Sequence, residues 1–478
     1  MVSIDISAQH AAIKRTFGLQ KEYALQLRHS SAKERIAKLT LIERYLERSE
    51  NIDRLCKALH TDLKKSRTES ISAEIAVILA TLKSIKRNLK GWMEDKRVAT
   101  PIAFTGSTSF IRHEPKGTAL IIAPWNYPFQ LAINPLLYAL AAGCTAMIKP
   151  SEYSAATSAF LEEMLDSLFD EKEVKVFQGE VETSQNLLAL PFAHMYFTGS
   201  PGVGKIVMSA AAKHLSSITL ELGGKSPCII DKSVNIKKVA AQLAWAKWYN
   251  NGQTCIAPDH VYIHEKIKDS FLKELDIQIE KMYNPGGKGI TESNDYGRII
   301  SDRHFKRAQH LLEDAIEKGA KVVRGGQHSE EDRFLGPTVL TQVSDEMLVM
   351  QEEIFNPILP IMTFSNIDKV IARIQSQAKP LAMYILSKNK GLTDSVLRSS
   401  SAGTTVINDF LLQYANANLP FGGVNNSGMG KSHSIHGFLE FTNQRGVLKQ
   451  KWGKTSILHP PYTSFTEKLA LFIAKWLS

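Results

Sequence analysis

The sequence predicts an α/β protein built from two successive units in which strands alternate with helices. The chain has 478 residues, a length that suggests about three domain-sized units. Its opening places apolar residues at helical spacing, and two later stretches alternate short apolar runs with amphipathic ones. This alternation is typical of parallel strands joined by crossover helices, and such sheets bind ligands beyond the carboxyl ends of their strands.

The opening segment is predicted to be helical from about Ala8 to Arg97. Leu39, Ile42 and Leu46 recur at helical spacing, with charged residues between them. The segment from Ile102 to His113 is rich in Thr and Ser and is predicted to be extended, as an arm or a hairpin.

The central stretch and the stretch after it supply the predicted strands and helices. The central strand-like segments are Thr118 to Ala123, Thr145 to Ile148, Val174 to Phe177 and His194 to Phe197. The helical segments between them are Pro135 to Ala142, Ala155 to Phe169 and Val203 to His214. From Pro227 to Ala402 the predicted strands are Cys228 to Ile230, His260 to His264, Lys321 to Arg324 and Met383 to Leu386. The two stretches therefore predict two α/β units.

The charge balance is basic, with a formal net charge of +10 and a pI near 9.2. Such a charge attracts nucleic acid, an anionic membrane surface or an anionic dinucleotide. Lysines are spread from Lys14 to Lys475 without a basic run or interleaved stacking aromatics, which disfavours nucleic-acid binding. Solubility or a basic patch that faces a membrane accounts better for the charge.

The four cysteines are widely separated and form no CxxC pair: Cys56, Cys144, Cys228 and Cys255. Neither a metal site nor a disulfide framework is indicated, which favours a reducing compartment. Met1 to Lys21 has no continuous apolar core, so no secretory signal is predicted and cytoplasmic residence is expected. Ala132 to Ile148 is the longest apolar stretch, falls short of the about 20 residues that span a bilayer, and predicts a buried helix leading into a strand.

Cys255 and Glu221 are the two residues that point most directly to chemistry. Cys255 lies in the segment Asn250 to Asp259, and Glu221 lies in the Gly-rich segment Leu220 to Pro227. A thiol attacks efficiently only as a thiolate, and the thioester that follows needs a separate base to activate water. A cysteine and a glutamate in one pocket can therefore act as nucleophile and base.

Asn126 follows a predicted strand, in the segment Ile122 to Pro128. When a thiolate adds to a carbonyl, the oxygen becomes an anion, and one well-placed donor stabilises it by roughly 3 kcal/mol. The Asn126 amide is a candidate donor. Taken alone, an Asn beside prolines is more often a turn residue.

The segment Ile148 to Glu152, which contains Lys149, follows a second strand-like run. The same residues also predict the start of a helix, with Ser151 as its cap and Glu152 in the first turn.

The segment Tyr196 to Lys205 predicts a strand, a Gly-rich turn and a helix, an arrangement that favours phosphate binding. It differs from the common dinucleotide fingerprint because Ser200 and Pro201 interrupt the glycine pattern. It also differs from a nucleoside-triphosphate loop, because Ile206 stands where a magnesium-binding Ser or Thr is needed. A phosphate-transfer enzyme is thereby disfavoured.

A further segment, Gln351 to Pro357, contains Glu353 and Phe355. Alone it would indicate an exposed acidic pair before a core Phe. Trp245 lies on a predicted helix before Cys255, where packing in the core is one account of it.

Taken together, these segments resemble the aldehyde dehydrogenase superfamily, and its class 3 or fatty aldehyde dehydrogenase branch in particular. Gln253 to Asp259 and Asn426 to Gly430 favour class 3. The resemblance implies an aldehyde dehydrogenase-like fold: a Rossmann-type cofactor domain, a second α/β catalytic domain and an oligomerisation arm. The corresponding ranges are 1–97 and 116–221 for the cofactor domain, 222–411 for the catalytic domain, 98–115 and 412–450 for the arm, and 451–478 for an amphipathic tail.

The resemblance also implies a reaction, the NAD(P)-dependent oxidation of medium- or long-chain aliphatic or aromatic aldehydes to carboxylic acids. Cys255 would add to the carbonyl, with Asn126 and the Cys255 backbone holding the oxyanion. Water activated by Glu221, with Glu353 as a second acid or base, would release the acid. A silent member of the fold is disfavoured because Cys255 and Glu221 are both present.

NAD is the cofactor that the resemblance favours, with NADP as the alternative, because a carboxylate from Glu152 near the adenosine ribose would disfavour a 2′-phosphate. The implied cofactor-binding residues are Ile122, Pro124, Trp125, Lys149, Glu152, Gly199, Ser200, Val203, Gly204, Leu222, Gly223, Glu353 and Phe355. Trp245 and Tyr127 are expected to line the substrate tunnel, and no metal is expected.

The tail from Thr463 to Ser478 is predicted to be an amphipathic helix that is too short to span a bilayer. Its predicted apolar face is formed by Phe465, Leu469, Phe472, Ile473 and Trp476. Its predicted polar face is formed by Glu467, Lys468 and Lys475. The resemblance implies a gate at the tunnel mouth or a peripheral membrane contact, and packing on a partner subunit is the alternative. A homodimer is expected, paired through the arm segments.

Overall fold

The structure is a computed structural model that describes residues 6–452 and 459–476. Residues 1–5, 453–458 and 477–478, which belong to the predicted cofactor domain and tail, lie outside the described residues.

The strands of the described part, in chain order, are β1 (Lys96–Val98), β2 (Ser107–Pro115), β3 (Thr118–Ile122), β4 (Thr145–Lys149), β5 (Val174–Val176), β6 (His194–Gly199), β7 (Ser217–Leu222), β8 (Pro227–Ile230), β9 (His260–His264), β10 (Lys321–Arg324), β11 (His328–Ser329), β12 (Phe334–Leu335), β13 (Thr338–Thr341), β14 (Ile358–Phe364), β15 (Ala382–Leu386), β16 (Thr404–Ile407), β17 (Gly428–Met429) and β18 (Thr442–Gln450).

The α-helices of the same residues are α1 (Ile6–Leu27), α2 (Ala32–Leu46), α3 (Ser49–Leu63), α4 (Arg67–Glu69), α5 (Ala76–Met93), α6 (Gln130–Ala142), α7 (Ala155–Leu168), α8 (Val181–Leu188), α9 (Pro201–Ala212), α10 (Ile236–Trp248), α11 (Lys268–Tyr283), α12 (Asp302–Glu317), α13 (Leu348–Gln351), α14 (Ile367–Ser376), α15 (Lys390–Ser399), α16 (Leu412–Ala415), α17 (Ser434–Glu440) and α18 (Ser464–Trp476). A π-helical turn, Ser70–Ile75, joins α4 to α5.

The first large sheet has six strands among the described residues, in the order β17-β7-β6-β3-β4-β5. The strands are parallel except β17, which pairs antiparallel with β7. The predicted central strands are confirmed, and β7 is a strand that the sequence did not predict. The carboxyl ends of β3, β4, β6 and β7 therefore share one edge, where the Asn126, Lys149, Gly199 and Glu221 segments begin.

The second sheet has seven strands among the described residues, in the order β10-β13-β14-β9-β8-β15-β16. Only β10 runs antiparallel to its neighbour. The two parallel sheets confirm the predicted α/β fold class, while the residues at which the domains divide stay a prediction.

The smaller antiparallel sheet contains β1, β2 and β18, and its β2–β18 ladder runs from Thr442 paired with Pro115 to Gln450 paired with Ser107. Two local predictions were wrong here. The helical opening ends at Met93, since Arg97 lies in β1, and the Ile102 segment begins with a 3-10 turn before β2. Pairing with β18, more than 300 residues away in sequence, is what makes β2 extended.

The apolar stretch from Ala132 to Ile148 is buried, as predicted, and leads from α6 into β4. Helix α6 begins five residues before Pro135, which lies inside it. The alternative helix start at Ser151 was wrong, because α7 begins at Ala155 and its N-cap is Ser154. Ser151 instead accepts a hydrogen bond from the Tyr153 backbone N–H at 3.3 Å, so the segment after β4 is a turn.

In residues 6–452 and 459–476 no helix is both long and apolar enough to cross a bilayer. The same residues contain no cluster of His, Cys, Asp and Glu that could hold a metal ion.

Candidate active site

Cys255 lies in a tight turn that follows α10. Asn250 and Asn251 have φ values of 50° and 57°, which Asn tolerates better than most residues. Gly252 has φ of 74°, and a Cβ there would lie 2.5 Å from the carbonyl oxygen of Asn356. Both the backbone angle and the close approach require glycine, so the turn that presents the thiol is fixed by its sequence.

The side chain of Gln253 anchors this turn to the chain behind it. Its Nε2 donates to the carbonyl oxygen of Arg298 at 2.9 Å, and its Oε1 accepts from the backbone N–H of Ile300 at 3.1 Å. The residue is buried, so these bonds hold the backbone before Cys255 in one position.

Asn126 is bound directly to the same turn. Its Nδ2 donates to the carbonyl oxygen of Gln253 at 3.0 Å, and Asn250 Nδ2 donates back to the carbonyl oxygen of Asn126 at 2.8 Å. The Asn126 amide nitrogen has a second N–H, which is the donor that an oxyanion beside Cys255 would need.

Glu221 is buried, with 7% of the residue exposed, and lies on β7, where it pairs with Thr198 of β6 and Gly428 of β17. Burial raises the pKa of its carboxyl to about 8, although Lys431 and the hydroxyls of Ser432 and Tyr196 act in the opposite direction. Near neutral pH this carboxyl can both hold and release a proton, as a general base must.

Glu353 lies just after α13 and packs against the Gly223 backbone. A Cβ at Gly223 would lie 2.2 Å from Glu353 Oε2, so a larger residue would displace the carboxyl. Burial raises the pKa of Glu353 to about 7, and a hydrogen bond from the Gly224 backbone partly offsets this. The carboxyl of Glu353 therefore lies against the backbone of Gly223, two residues after Glu221.

Lys225 and Asp259 join the acidic segments to the nucleophile segment. Lys225 Nζ lies 2.5 Å from Asp259 Oδ1 and donates to the carbonyl oxygens of Val349 and Glu352, each at 2.8 Å. Asp259 Oδ2 accepts the Ile354 N–H at 2.8 Å. Burial opposes ionisation of Asp259, but Lys225 and His260 outweigh it and hold its pKa below the usual value.

The thiol of Cys255 is surrounded by groups that keep it protonated. Burial, followed by the charges of Glu353 and Glu221, raises its pKa to about 12, while the backbone N–H groups of Cys255 and Ile256 act in the opposite direction. Both carboxylates therefore belong to the electrostatic surroundings of the sulfur.

The edge formed by the strand ends fits a dinucleotide. At the end of β4, Lys149 is buried and its Nζ lies 2.7 Å from Glu152 Oε2. Gly199 ends β6, and Ser200 caps α9 by accepting the Val203 N–H at 3.4 Å. The α9 N-terminus therefore faces the strand ends with its backbone N–H groups, as a pyrophosphate requires.

The glycines of this edge are needed for close packing. A Cβ at Gly204 would lie 2.8 Å from Leu222 Cδ2 at the end of β7, and one at Gly199 would lie 2.5 Å from the Phe197 ring. Helix α9 therefore approaches the end of β7 closely.

Trp125 and Phe355 contact each other, with ring centroids 5.4 Å apart. The ring centroid of Trp125 also lies 4.8 Å from that of His304. Ile122 and Pro124 belong to the same β3 end and loop. The predicted cofactor residues thus come from the ends of β3, β4, β6 and β7 and from the Glu353 segment.

A model of the aldehyde dehydrogenase family matches residues 6–447 of the chain. This chain belongs to the aldehyde dehydrogenase family. Its members act on aldehydes, and oxidation of an aldehyde is the reaction that the family name describes.

Two curated relatives show where in the family it stands. It is 42% identical over 440 residues to aldehyde dehydrogenase family 3 member B1 of Rattus norvegicus, which covers 91% of this chain and 92% of the relative. It is also 42% identical over 409 residues to 4,4'-diaponeurosporen-aldehyde dehydrogenase of Staphylococcus aureus. This match covers 85% of this chain and 88% of the relative. The predicted resemblance to class 3 is confirmed.

Two solved structures share its fold. The substrate-bound state of Staphylococcus aureus AldH has a TM-score of 0.91 and 38% identity, over 96% of this chain and 99% of that one. PnpE in complex with nicotinamide adenine dinucleotide has a TM-score of 0.84 and 25% identity, over 93% of this chain and 91% of that one. The aldehyde dehydrogenase fold is thereby confirmed.

In this aldehyde dehydrogenase the two predicted tunnel residues differ in burial. Tyr127 is buried, and its Oη lies 2.6 Å from Thr254 Oγ1, next to Cys255. Trp245 is 37% exposed and contacts Tyr249 at 5.5 Å between ring centroids. Tyr249 Oη in turn lies 2.9 Å from Ser72 Oγ.

A buried ion pair beneath the site was missed by the sequence analysis. Lys65 Nζ lies 2.6 Å from Glu74 Oε1, and neither side chain is exposed. Lys65 also donates to the carbonyl oxygen of Asn126 at 3.2 Å and lies 4.3 Å from the Tyr127 ring centroid. Glu74 Oε2 accepts the Gln130 N–H at 2.9 Å, so the pair supports the whole Asn126 loop. The available signal in the sequence was that Lys65 and Glu74 stand beside apolar residues at helical spacing.

Proposed function

We propose that this aldehyde dehydrogenase oxidises apolar aldehydes to carboxylic acids by covalent catalysis at Cys255. The observation that carries the proposal is the arrangement around the thiol: two buried carboxyls raise its pKa, and the Asn126 amide is bound to its turn. A nucleophile, two proton acceptors and an oxyanion donor are what thioester chemistry needs.

In the first half of the reaction Cys255 loses its proton to a neighbouring carboxylate and its sulfur attacks the aldehyde carbon. The second N–H of Asn126 and the backbone N–H of Cys255 donate to the oxyanion that forms. A nicotinamide cofactor, when bound, would supply the acceptor for the hydride that leaves the carbonyl carbon, and the acyl group would remain on the Cys255 sulfur as a thioester.

In the second half, Glu221 takes a proton from water, whose oxygen attacks the acyl carbon and releases the acid. Glu353 is assigned as the second acid or base, because its carboxyl lies against the backbone that follows Glu221 and has a pKa near neutrality. Its pKa lies below that of Glu221, so it is the better acceptor of the thiol proton at neutral pH.

We assign NAD as the preferred cofactor and NADP as the alternative. Lys149 and Glu152 lie together at the end of β4, where ribose hydroxyls would be bound. The Glu152 carboxylate would repel a 2′-phosphate. The remaining contacts are assigned to Ile122, Pro124, Trp125, Gly199, Ser200, Val203, Gly204, Leu222, Gly223, Glu353 and Phe355.

The substrates are proposed to be medium- or long-chain aliphatic or aromatic aldehydes. Trp245 and Tyr127 are assigned to the tunnel, since the first is exposed at the surface and the second lies beside the nucleophile turn. Apolar walls of this kind favour substrates that bury a hydrocarbon body.

The test is a panel of aldehydes from short aliphatic to long-chain and aromatic, assayed with NAD and NADP at equal concentration. We expect kcat/KM to rise with apolar length and to be higher with NAD. Cys255→Ala should abolish turnover, whereas Cys56→Ala, which removes a buried thiol from a helical cluster, should retain it. Undiminished turnover by Cys255→Ala would contradict the proposal.

A further inference from the structure

Among the buried polar atoms that lack a hydrogen-bond partner in the described residues, two belong to side chains whose charge environment includes the nucleophile. They are Glu221 Oε2 and Tyr414 Oη. The other oxygen of Glu221 accepts a hydrogen bond from Tyr196 Oη at 3.4 Å. Leaving a buried polar atom without a partner is unfavourable, so each of these two atoms requires an explanation, and a bound water molecule is the common one.

Tyr414 is held close to the nucleophile by its neighbour in α16. Gln413 Nε2 donates to Tyr384 Oη at 3.0 Å, and Tyr384 Oη donates to the carbonyl oxygen of Ile256. Ile256 directly follows Cys255. The short helix is therefore linked by hydrogen bonds to the residue beside the reactive sulfur.

The ring of Tyr414 is fixed by packing, whereas its hydroxyl remains available. The ring contacts Phe421 and His433, each at 4.7 Å between centroids and close to perpendicular. It is partly exposed, while the hydroxyl oxygen itself is buried. The ring contacts therefore orient the hydroxyl without satisfying it.

The charges of both proposed reacting groups act on this hydroxyl. Burial raises the pKa of the Tyr414 phenol, and the charges of Cys255 and Glu221 raise it further. The phenol therefore stays neutral at working pH and can accept one hydrogen bond and donate another.

We propose that Tyr414 is a positioning residue for hydrolysis, whose hydroxyl, together with Glu221 Oε2, holds the water that attacks the acyl group on Cys255. This inference rests on the proposed function. The water donates one hydrogen to Glu221 and the other to Tyr414 Oη, which leaves an oxygen lone pair directed at the acyl carbon. As the new carbon–oxygen bond forms, Glu221 takes the proton, the carbon–sulfur bond breaks, and Cys255 leaves as a thiolate.

The test compares Tyr414→Phe with the parent enzyme in the full-length protein. The substitution removes one oxygen and keeps the ring contacts, so the melting temperature should be nearly unchanged. Acylation is followed by the first turnover of reduced cofactor, and hydrolysis by the decay of the acyl-enzyme in quenched samples, measured by mass spectrometry. We expect an unchanged acylation rate and an acyl-enzyme decay about tenfold slower, the effect of one ordinary hydrogen bond.

The matched control is Tyr262→Phe. Its hydroxyl is also buried without a partner among the described residues, but the residue lies on β9 in a separate apolar cluster with Phe364 and Met383. This variant should keep both rates. If acyl-enzyme decay were slowed in Tyr262→Phe as much as in Tyr414→Phe, the effect would be a general one of a lost hydroxyl. That result would overturn the assignment.

Two further results would overturn the inference. One is an acyl-enzyme decay in Tyr414→Phe that equals that of the parent, and the other is a slower acylation with unchanged decay, which would place the hydroxyl on the aldehyde. Both would leave the proposed function standing as long as an acyl group is still found on Cys255. Failure of the proposed function would instead appear as the absence of any acyl group in the parent enzyme.

Discussion

The reactive thiol of this aldehyde dehydrogenase is held in a resting state by its own surroundings. Burial and two carboxylates keep Cys255 protonated, and in the proposed mechanism one of those carboxylates accepts the proton. Glu221 and Glu353 have pKa values near 8 and 7, so proton exchange between these two carboxyls costs little at neutral pH, whereas proton transfer from the thiol, whose pKa is about 12, is uphill. The groups titrate as a coupled set rather than singly.

A pH dependence follows from the raised pKa of Glu221. A base is active only when ionised, so the rate of acid release should rise as the pH rises through about 8 and level off above it. Glu221→Gln should remove this rise and slow acid release by roughly 100-fold or more, while acylation persists. The measurement is the acyl-enzyme decay rate as a function of pH.

The control for this profile is Glu330→Gln, which removes an exposed carboxylate paired with Lys306 at 3.5 Å. It should leave the profile as it is in the parent. A flat profile in the parent enzyme, or a normal profile in Glu221→Gln, would show that Glu221 is not the base.

At this scale, much of the site was predictable from the sequence. Cys255, Glu221 and Asn126 stand in segments whose residue types are needed together, and the resemblance assigned each of them a role. Tyr414 and Lys65 were not predicted, because their importance depends on which distant groups the fold brings beside them. The partner of Lys65 is near in sequence, but the carbonyl it supports belongs to Asn126.

At the scale of elements, an ion pair and hydrogen bonds connect the π-helical turn Ser70–Ile75 to the loop after β3. The turn carries Glu74, whose carboxylate binds Lys65 and the N–H of Gln130. Lys65 in turn holds the carbonyl oxygen of Asn126. The backbone of Asn126, which we propose as the oxyanion donor, is thus held by a charged pair whose side chains are both buried.

Breaking this pair should destabilise the protein more than replacing it. Glu74→Leu leaves an unpaired buried ammonium, which costs about 3 to 5 kcal/mol. Adding Lys65→Met should restore most of the stability, because the apolar pair needs no partner. Activity should stay low in the double variant, since Asn126 has lost its support. Thermal unfolding and kcat/KM of the variants measure the two effects, and a double variant with full activity would contradict the positioning role.

The tail helix α18 is amphipathic, and its largest apolar side chains are exposed. Phe465 and Phe472 are 62% and 53% exposed, whereas Leu469 and Ile473 are partly buried. The side chain of Trp476, predicted for the same face, lies outside the described residues. Gating, packing on a partner and peripheral membrane contact remain the three proposals for this face, and we favour the membrane contact.

Removing the residues after Tyr462 tests that choice. The parent should sediment with anionic liposomes and the truncated form should not, because the exposed aromatic face and its lysines are lost. The control is Lys468→Ala, which removes one charge and keeps the helix, and which should weaken binding only slightly. Equal partitioning of parent and truncated forms would discard the membrane contact in favour of a gate or a partner.

Element types were predictable wherever pattern alone decides them. β9 and β10 were predicted to the residue, since their apolar runs are bounded clearly. β7 and β18 were missed for a different reason. β7 contains the buried Glu221 within its apolar alternation, and β18 is largely exposed and is extended because it pairs with β2.

At the scale of the whole molecule, the described residues form two large, mainly parallel sheets, and the groups that we propose to react come from both of them. Glu221 ends a strand of the first sheet, while Cys255 precedes β9 of the second. The alternation along the sequence predicted these sheets, but not the order of their strands, which depends on contacts between distant segments. The antiparallel sheet of β1, β2 and β18 exposes Leu448 and Trp452, and we propose that it pairs two subunits into a homodimer.

The account depends on a transient acyl bond to one sulfur, and mass spectrometry of the acid-quenched enzyme during turnover measures it directly. We predict that the mass of the acyl group appears on the peptide that contains Cys255, that it accumulates in Glu221→Gln, and that it is absent in Cys255→Ala. Continued aldehyde oxidation with no acyl group on that peptide would contradict the account.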